Sequence, residues 1–291
     1  MPISRREGSS PSSPTNFIKE SNLSTKKKFP ETIGIISDLH CGSKQGLLPS
    51  SYWNEHTPES TKWLWKCWDW LTFNWPQLDL LILNGDLIDG KQGRSGSTGI
   101  LTASLEEQTD IAIACLATWK KKTTKIIRMM GTAYHESFEG PLGKLDEHFG
   151  IQKPKDYQKQ IVRDIVLADG AVLNIKHQPE GEGTLYRGTA LDREVLWACV
   201  TEHQKHLPTA THIIRSHLHS DAHLRGFGKE INFTPGFCLQ PPYALQKRRY
   251  RWVPDIGGTL MVRDKLAFKG YRVTVKTFTM PEVKADDYET L

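Results

Sequence analysis

No Cys-x-x-Cys pair occurs among the five cysteines, which stand far apart at 41, 67, 115, 199 and 238. Their odd number and spacing exclude a zinc knuckle or a disulfide framework and fit a reducing compartment. The apolar stretch from Leu78 to Leu83 is far too short to cross a bilayer. Residues 1–29 contain no apolar h-region of a signal peptide. A soluble cytoplasmic protein with no membrane partner is therefore the expectation. There is no internal repeat. Nor is there a strong excess of one charge: the formal net charge is +5, with much of it in the first thirty residues and in the run Lys247, Arg248, Arg249, Tyr250, Arg251, Trp252. That balance does not by itself define a polyanion-binding protein, although the run leaves a nucleic-acid partner open.

What is present is enough for one large folded unit. With 291 residues, 38% hydrophobic and 24% charged, the chain can bury a sizeable core. Residues 1–29, rich in Ser, Pro and Lys, lack apolar periodicity and predict a disordered tail; the domain is expected over 30–281 and a second tail over 282–291. The β-branched run Thr32 to Ser37 predicts a buried strand, as does Leu78 to Leu83. Between them, Leu64, Cys67, Trp68, Leu71 and Trp75 share one helical face, which reads as core rather than a stacking platform. A helix over 105–121 and a strand over 125–130 continue a strand, helix, strand alternation, the mark of a parallel α/β sheet. Ile161 to Leu167 and Ala171 to Lys176 read as a hairpin, which makes the sheet system mixed. An amphipathic helix over 191–207 places Leu191, Val195, Leu196, Cys199, Val200, His203 and Leu207 in one stripe, so that His203 reads as a core or boundary residue. Strands are then expected at 212–216, 222–227, 259–263 and 270–279. The loops 43–60, 90–104 and 178–190 are where substrate specificity would reside.

Eight residues stand where these strands give way to loops: Asp38, His40, Asp86, His135, Glu136, His177, His217 and His219. Strand ends are where an open α/β sheet offers side chains to a ligand. Asp38-x-His40 presents a carboxylate and an imidazole on one side of an extended segment, a pair suited to one divalent transition metal. Asp86, freed from the sheet after Gly85, is a carboxylate able to bridge two cations. His217-x-His219 offers one imidazole to each, and His177 can complete the second sphere. His212 and His223 read as packing or surface residues, with His223 a reserve candidate; Cys41 reads as a packed thiol.

Taken in order, DLHCG at 38–42, GDLID at 85–89, GTAYHE at 131–136, His177 in KHQPE and SHLHS at 216–220 resemble the calcineurin-like metallophosphoesterase family over approximately residues 33–225. The resemblance implies a sandwich of two mixed β-sheets flanked by helices, with a dinuclear centre at their shared edge. It implies that Asp38, His40 and His219 hold one metal, that His177 and His217 hold the other, and that Asp86 bridges them. The third motif departs from the family, whose Gly-Asn-His supplies an asparagine ligand; here Thr132 follows Gly131, and its hydroxyl is a weaker donor. Ser216 also replaces the usual glycine before the histidine pair, and Gln178 follows His177. The Gly-Thr-x-x-His variant and YRGTALDRE at 186–194 are similar to phage-encoded members of the family.

The function this implies is hydrolysis of a phosphomonoester or phosphodiester by a hydroxide activated between two divalent ions. Manganese is the expected ion, with iron, zinc or nickel also suited. His135 is the candidate general acid, with Glu136 orienting its ring, and Asp89 stands behind the ligands rather than among them. Asn84 is suited to orient a ligand or to meet substrate. Two alternatives are a nuclease acting on DNA or RNA ends and a non-catalytic metal-binding scaffold of the same fold.

Overall fold

The computed structural model describes residues 29–92, 97, 99–136, 140–181, 187–204, 209–239 and 253–279. The expected tail residues 1–28 and 282–291, parts of the loops at 90–104 and 178–190, Leu207 and the basic run at 247–252 lie outside them.

The chain forms two mixed five-stranded sheets flanked by helices. The first comprises β1 (Thr32–Ile36), β2 (Leu80–Asn84), β3 (Ile126–Met129), β9 (Ile256–Arg263) and β10 (Tyr271–Phe278), in the order β10-β9-β1-β2-β3. The second comprises β4 (Val162–Val166), β5 (Val172–Lys176), β6 (His212–Arg215), β7 (Ala222–Gly226) and β8 (Lys229–Phe233), in the order β4-β5-β6-β8-β7. β1, β2 and β3 run parallel, as do β5, β6 and β8. The expected hairpin is the antiparallel pair β4 and β5, with Val162 opposite Lys176.

Alternation along the central strands divides the core. Ile33 and Ile35 of β1 and Leu80 and Ile82 of β2 pack with Leu173, Ile175 and Ile214 of the other sheet, filling the sandwich. Ile36, Leu81 and Leu83 face the opposite way, against α1 (Glu59–Asn74), α2 (Leu105–Lys122) and α3 (Leu142–Phe149). The tryptophan stripe is core, as its spacing predicts. Trp68 is buried edge-on to Trp119 and Phe237, at 6.0 and 4.9 Å between ring centres, and its indole N–H donates to the Cys115 carbonyl at 3.0 Å. Burying such a ring stabilises by roughly 2–3 kcal/mol. α2 starts at Ser104, whose hydroxyl accepts from Glu107 N, and it carries Glu106 and Glu107 in its first turn and Lys120 to Lys122 in its last, all favourable to its dipole.

On the outer face of the second sheet lies α5 (Arg187–His203), while α4 (Gln158–Ile161) is a single turn before β4. α5 begins four residues before the expected 191. Its buried stripe is Ala190, Leu191, Glu194 and Val195, which corrects the expectation: Leu196 is 61% exposed and His203 is exposed too. Leu191 and Val195 pack as expected, and the Glu194 carboxylate shares their core-facing stripe. Among the described residues no helix is long and apolar enough to cross a membrane.

Candidate metal centre

All the parallel strands that carry expected ligands end at one edge of the sandwich. β1 delivers Asp38 and His40, β2 delivers Asp86, and β3 delivers Thr132, His135 and Glu136. From the second sheet, β5 delivers His177 and β6 delivers His217 and His219. The chain makes sharp turns there: Asp38, His40, Asp86, His217 and His219 all have left-handed backbones, with φ of 53°, 44°, 51°, 70° and 46°. For residues with side chains this costs about 1–3 kcal/mol each, and such strain gathers at functional sites.

The side chains converge. Ligand atoms of Asp38, Asp86, His177 and His217 lie within 4.8 Å of one another, as do those of Asp38, His40 and His219, and those of His40, Asp86 and His135. Asp38 and Asp86 are both central. Asp38 Oδ1 is 3.2 Å from His219 Nε2, 3.8 Å from His40 Nε2 and 3.9 Å from His177 Nε2. Asp86 Oδ2 is 2.9 Å from His177 Nε2 and 3.9 Å from His217 Nδ1.

The outer nitrogens are already engaged. His177 Nδ1 meets the Asn84 carbonyl at 2.6 Å, His219 Nδ1 the Cys238 carbonyl at 3.2 Å, and His40 Nδ1 Asp89 Oδ1 at 3.0 Å. A carbonyl only accepts, so Nδ1 of His177 and His219 carries the proton and Nε2 faces the carboxylates, the arrangement metal-binding imidazoles adopt. Asp38 Oδ1 and His40 Nε2 are buried without any hydrogen bond. Buried polar atoms of this kind need a partner, and a divalent cation among two carboxylates and four imidazoles supplies one. The residues therefore fit the ions the sequence implies.

The electrostatics point the same way. Burial would raise the carboxyls of Asp38 and Asp86, but the neighbouring imidazoles, His219 and His177 for Asp38 and His177 foremost for Asp86, hold both well below the usual range. For His177, burial acts downward and is overcome by Asp86 and Asp38, which lift it to about 9.

Asp89 stands behind the centre, as expected. Its carboxylate meets His40 and lies 3.4 Å from His135 Nδ1, while its carbonyl accepts from that same nitrogen at 2.7 Å. Burial would raise it, but the hydrogen bonds and charges of His135 and His40 pull it down to about 2, so it remains an anion at any working pH. His135 is packed edge-on to His40 at 4.5 Å and to Tyr134 at 4.8 Å.

Glu136 corrects the expectation that it orients His135. Its Oε1 accepts from Leu87 N and its Oε2 from Gly131 N, both at 2.8 Å, with Arg128 Nη1 at 3.5 Å. The buried carboxylate ties the loop after β2 to the loop after β3, and Asp89 holds the ring instead. Arg128 is balanced by Asp146, at 2.8 and 2.9 Å. Thr132 donates to Asp86 from its backbone nitrogen at 2.7 Å and from its hydroxyl at 3.1 Å. Gly131 has no alternative: a Cβ there would overlap Asp86 Oδ1 and the Asp86 nitrogen.

Asn84 orients rather than faces outward. Its amide donates to the Ser216 hydroxyl at 2.7 Å, so the serine in place of glycine joins the two sheets just below the ligands. His223 lies apart, paired with Glu230 at 3.1 Å, and Cys41 is a packed thiol 3.9 Å from Cys115 Sγ. Residues that the motif reading missed include Gln108, whose amide brackets both backbone groups of Gly90 at 2.9 Å, and the pair Glu194 and Arg215. The one signal for Arg215 is a charge at the end of a buried strand, after Ile213 and Ile214.

No protein-family profile matches the sequence, and no curated protein matches it. Solved structures do. Zinc-complexed Vps29 from Entamoeba histolytica is 13% identical, with 85% of this chain and 99% of that one covered and a TM-score of 0.41. An archaeal phosphodiesterase is 13% identical over 84% of this chain and 99% of its own, at a TM-score of 0.41. A predicted phosphoesterase from Streptococcus pneumoniae is 11% identical over 85% and 90%, at 0.37.

Proposed function

We propose that this chain is a metal-dependent phosphoesterase of the calcineurin-like type. The observation that carries the reading is the convergence, from four separate strand ends, of two carboxylates and four imidazoles whose ligand atoms lie within 4.8 Å in overlapping groups. Asp38, His40 and His219 would hold one ion and His177 and His217 the other, with Asp86 serving both. When bound, such a pair supplies positive charge for the phosphoryl oxygens and lowers the pKa of solvent toward neutrality.

The chain's own residues do the rest. His135 donates Nδ1–H to the Asp89 carbonyl, which fixes the ring and leaves Nε2 to carry a proton to a departing alkoxide. The permanently charged Asp89 carboxylate holds His40 and His135 in one frame. Glu136 keeps the loops bearing Asp86 and Thr132 at a constant separation. The open cleft of about 430 Å³ beside His217, lined by Lys176, Gln178, Pro179, Glu180 and Gly181, gives the rest of an ester a polar place to lie.

Manganese is the ion we assign first. The Gly-Thr-x-x-His spacing supports a phage-type member of the family, and the five free thiols support a reducing compartment such as a host cytoplasm. The test is hydrolysis of an aryl phosphodiester and an aryl phosphomonoester by metal-stripped protein as Mn²⁺ is titrated back, with Asp86→Asn and His135→Ala in parallel. Restored turnover that both variants lose is expected. Mn²⁺ uptake without turnover on either ester, and then on DNA and RNA ends, would replace the enzyme by a metal-binding scaffold.

A further inference from the structure

Behind the second sheet's ligands is a buried ionic chain that the proposed chemistry does not use. Glu194 on α5 is 2% exposed and Arg215, at the end of β6, is 6% exposed. Glu194 Oε2 accepts from Arg215 Nε at 2.9 Å and from Nη2 at 2.7 Å. Its other oxygen accepts from the backbone nitrogen of Glu180 at 2.6 Å, three residues beyond His177. Arg215 also donates to Asn174 on β5, through Nη2 to its Oδ1 at 2.7 Å and through Nη1 to its carbonyl at 3.3 Å. Asn174 in turn donates to Asp164 on β4 at 2.8 Å.

A buried ion pair is a poor way to gain stability, since apolar side chains of similar size often serve as well or better. What apolar groups cannot do is accept the Glu180 N–H while fixing the strand end two residues before His217. One carboxylate therefore governs the exit of both loops that carry His177 and His217. His219 is tethered outside this network, its Nδ1 on the Cys238 carbonyl and its carbonyl accepting from Asp255 N at 2.9 Å, while His177 Nδ1 keeps its bond to the Asn84 carbonyl. His40 is held by Asp89, on the other sheet.

We propose that Glu194, acting through Arg215 and the Glu180 amide, is the positioning residue of the His177–His217 half of the centre. This is the half in which Thr132 stands where the family offers an asparagine, so its cation depends most on two accurately held imidazoles. The inference rests on the metal-centre reading for its consequence and on the hydrogen bonds alone for its geometry.

The experiment compares full-length wild type with Glu194→Ala, Glu194→Gln and Glu202→Ala. Glu202 is the control: it pairs α5 with Lys229 of the same sheet at 2.6 Å but touches no ligand loop. Calorimetric titration with Mn²⁺ should show one of two equivalents weakened about 10–100-fold in Glu194→Ala. Glu194→Gln, which keeps one acceptor, should fall between, and Glu202→Ala should match wild type. In metal-free protein, the imidazole resonances of His177 and His217 should shift in Glu194→Ala while those of His40 and His219 stay. Equal weakening in the Glu194 and Glu202 variants would overturn the proposal by reducing it to helix docking, as would unchanged rings at 177 and 217. If Glu194→Ala does not fold, Glu194→Gln decides by the same readouts. Should wild type take up no Mn²⁺, the phosphoesterase reading fails, and the imidazole resonances still decide the clamp.

Discussion

Replacing Glu136 separates two roles that its place beside His135 in the chain makes easy to confuse. The carboxylate receives the amides of Leu87 and Gly131, both at 2.8 Å, and is 2% exposed. Glutamine has the same shape but one acceptor oxygen, so one buried N–H must face an amide NH₂. An unsatisfied buried donor costs about 1–3 kcal/mol. Two effects moderate this. Burial raises the Glu136 carboxyl in spite of Arg128, so removing its charge relieves some desolvation, and Arg128 keeps both bonds to Asp146. Glu136→Gln should therefore lower stability by about 1–2 kcal/mol, or roughly 2–8 °C in Tm. Glu136→Ala strands both amides and removes an anion from a buried arginine, for about 3–5 kcal/mol. Differential scanning calorimetry with and without Mn²⁺ measures both. A Glu136→Gln protein with wild-type Tm but a collapsed kcat would refute the clamp and restore Glu136 as the orienter of His135.

Other expectations follow from the same geometry. Asp89→Asn removes the fixed charge behind His40 and His135 and should lower Mn²⁺ affinity or kcat about 10–100-fold, read from metal content and turnover on one sample. Gly131→Ala forces the β3 loop away from Asp86 and should cost about 1–3 kcal/mol with loss of metal uptake, by thermal melting and calorimetric titration. His212, buried against Phe268 and Tyr271 at 5.6 and 6.2 Å with neither nitrogen bonded, is pulled by burial from 6.5 to about 4, with Arg225 lowering it further and Glu230 opposing. Its folded value lies below its unfolded one, so its contribution is complete above about pH 6.5 and drains away as pH falls to about 4, by up to roughly 3 kcal/mol. Urea midpoints across that window should fall less steeply in His212→Leu, and parallel slopes would count against the assignment.

The fold and the centre differ in how far they can be read from sequence, and the reason is physical. β1 and β2 are short, mostly apolar runs that give way to Asp38 and Gly85, β5 is followed directly by His177 and β6 by Ser216 and His217, and a side chain next to a strand end has few places to go. Their polarity therefore marks the site before any contact is known. The tryptophan stripe of α1 is legible because Leu64, Cys67, Trp68, Leu71 and Trp75 keep helical spacing. β8 was not anticipated: Lys229, Glu230 and Asn232 are buried there, the lysine by pairing with Glu202 and the glutamate with His223 and Arg225. In α5 the expected Leu191 and Val195 do face the core, but Glu194 faces it with them while Leu196 is exposed, so the stripe is turned toward a carboxylate that periodicity assigns to the surface. Charges are read as surface unless their partners are known, and these partners are 5 to 27 residues away and on another element. Ligands can be found by type and order along the chain, whereas the residues that hold them are defined only by whom they meet. Glu136 makes the point within six residues: adjacency suggested His135, but the turn after β3 aims its carboxylate at the amides of two loops. The visible half of such a centre is thus the part that would meet metal and substrate, and the buried half, in which Glu136 and Glu194 each tie two ligand loops together on their own sheet, becomes visible only with the fold.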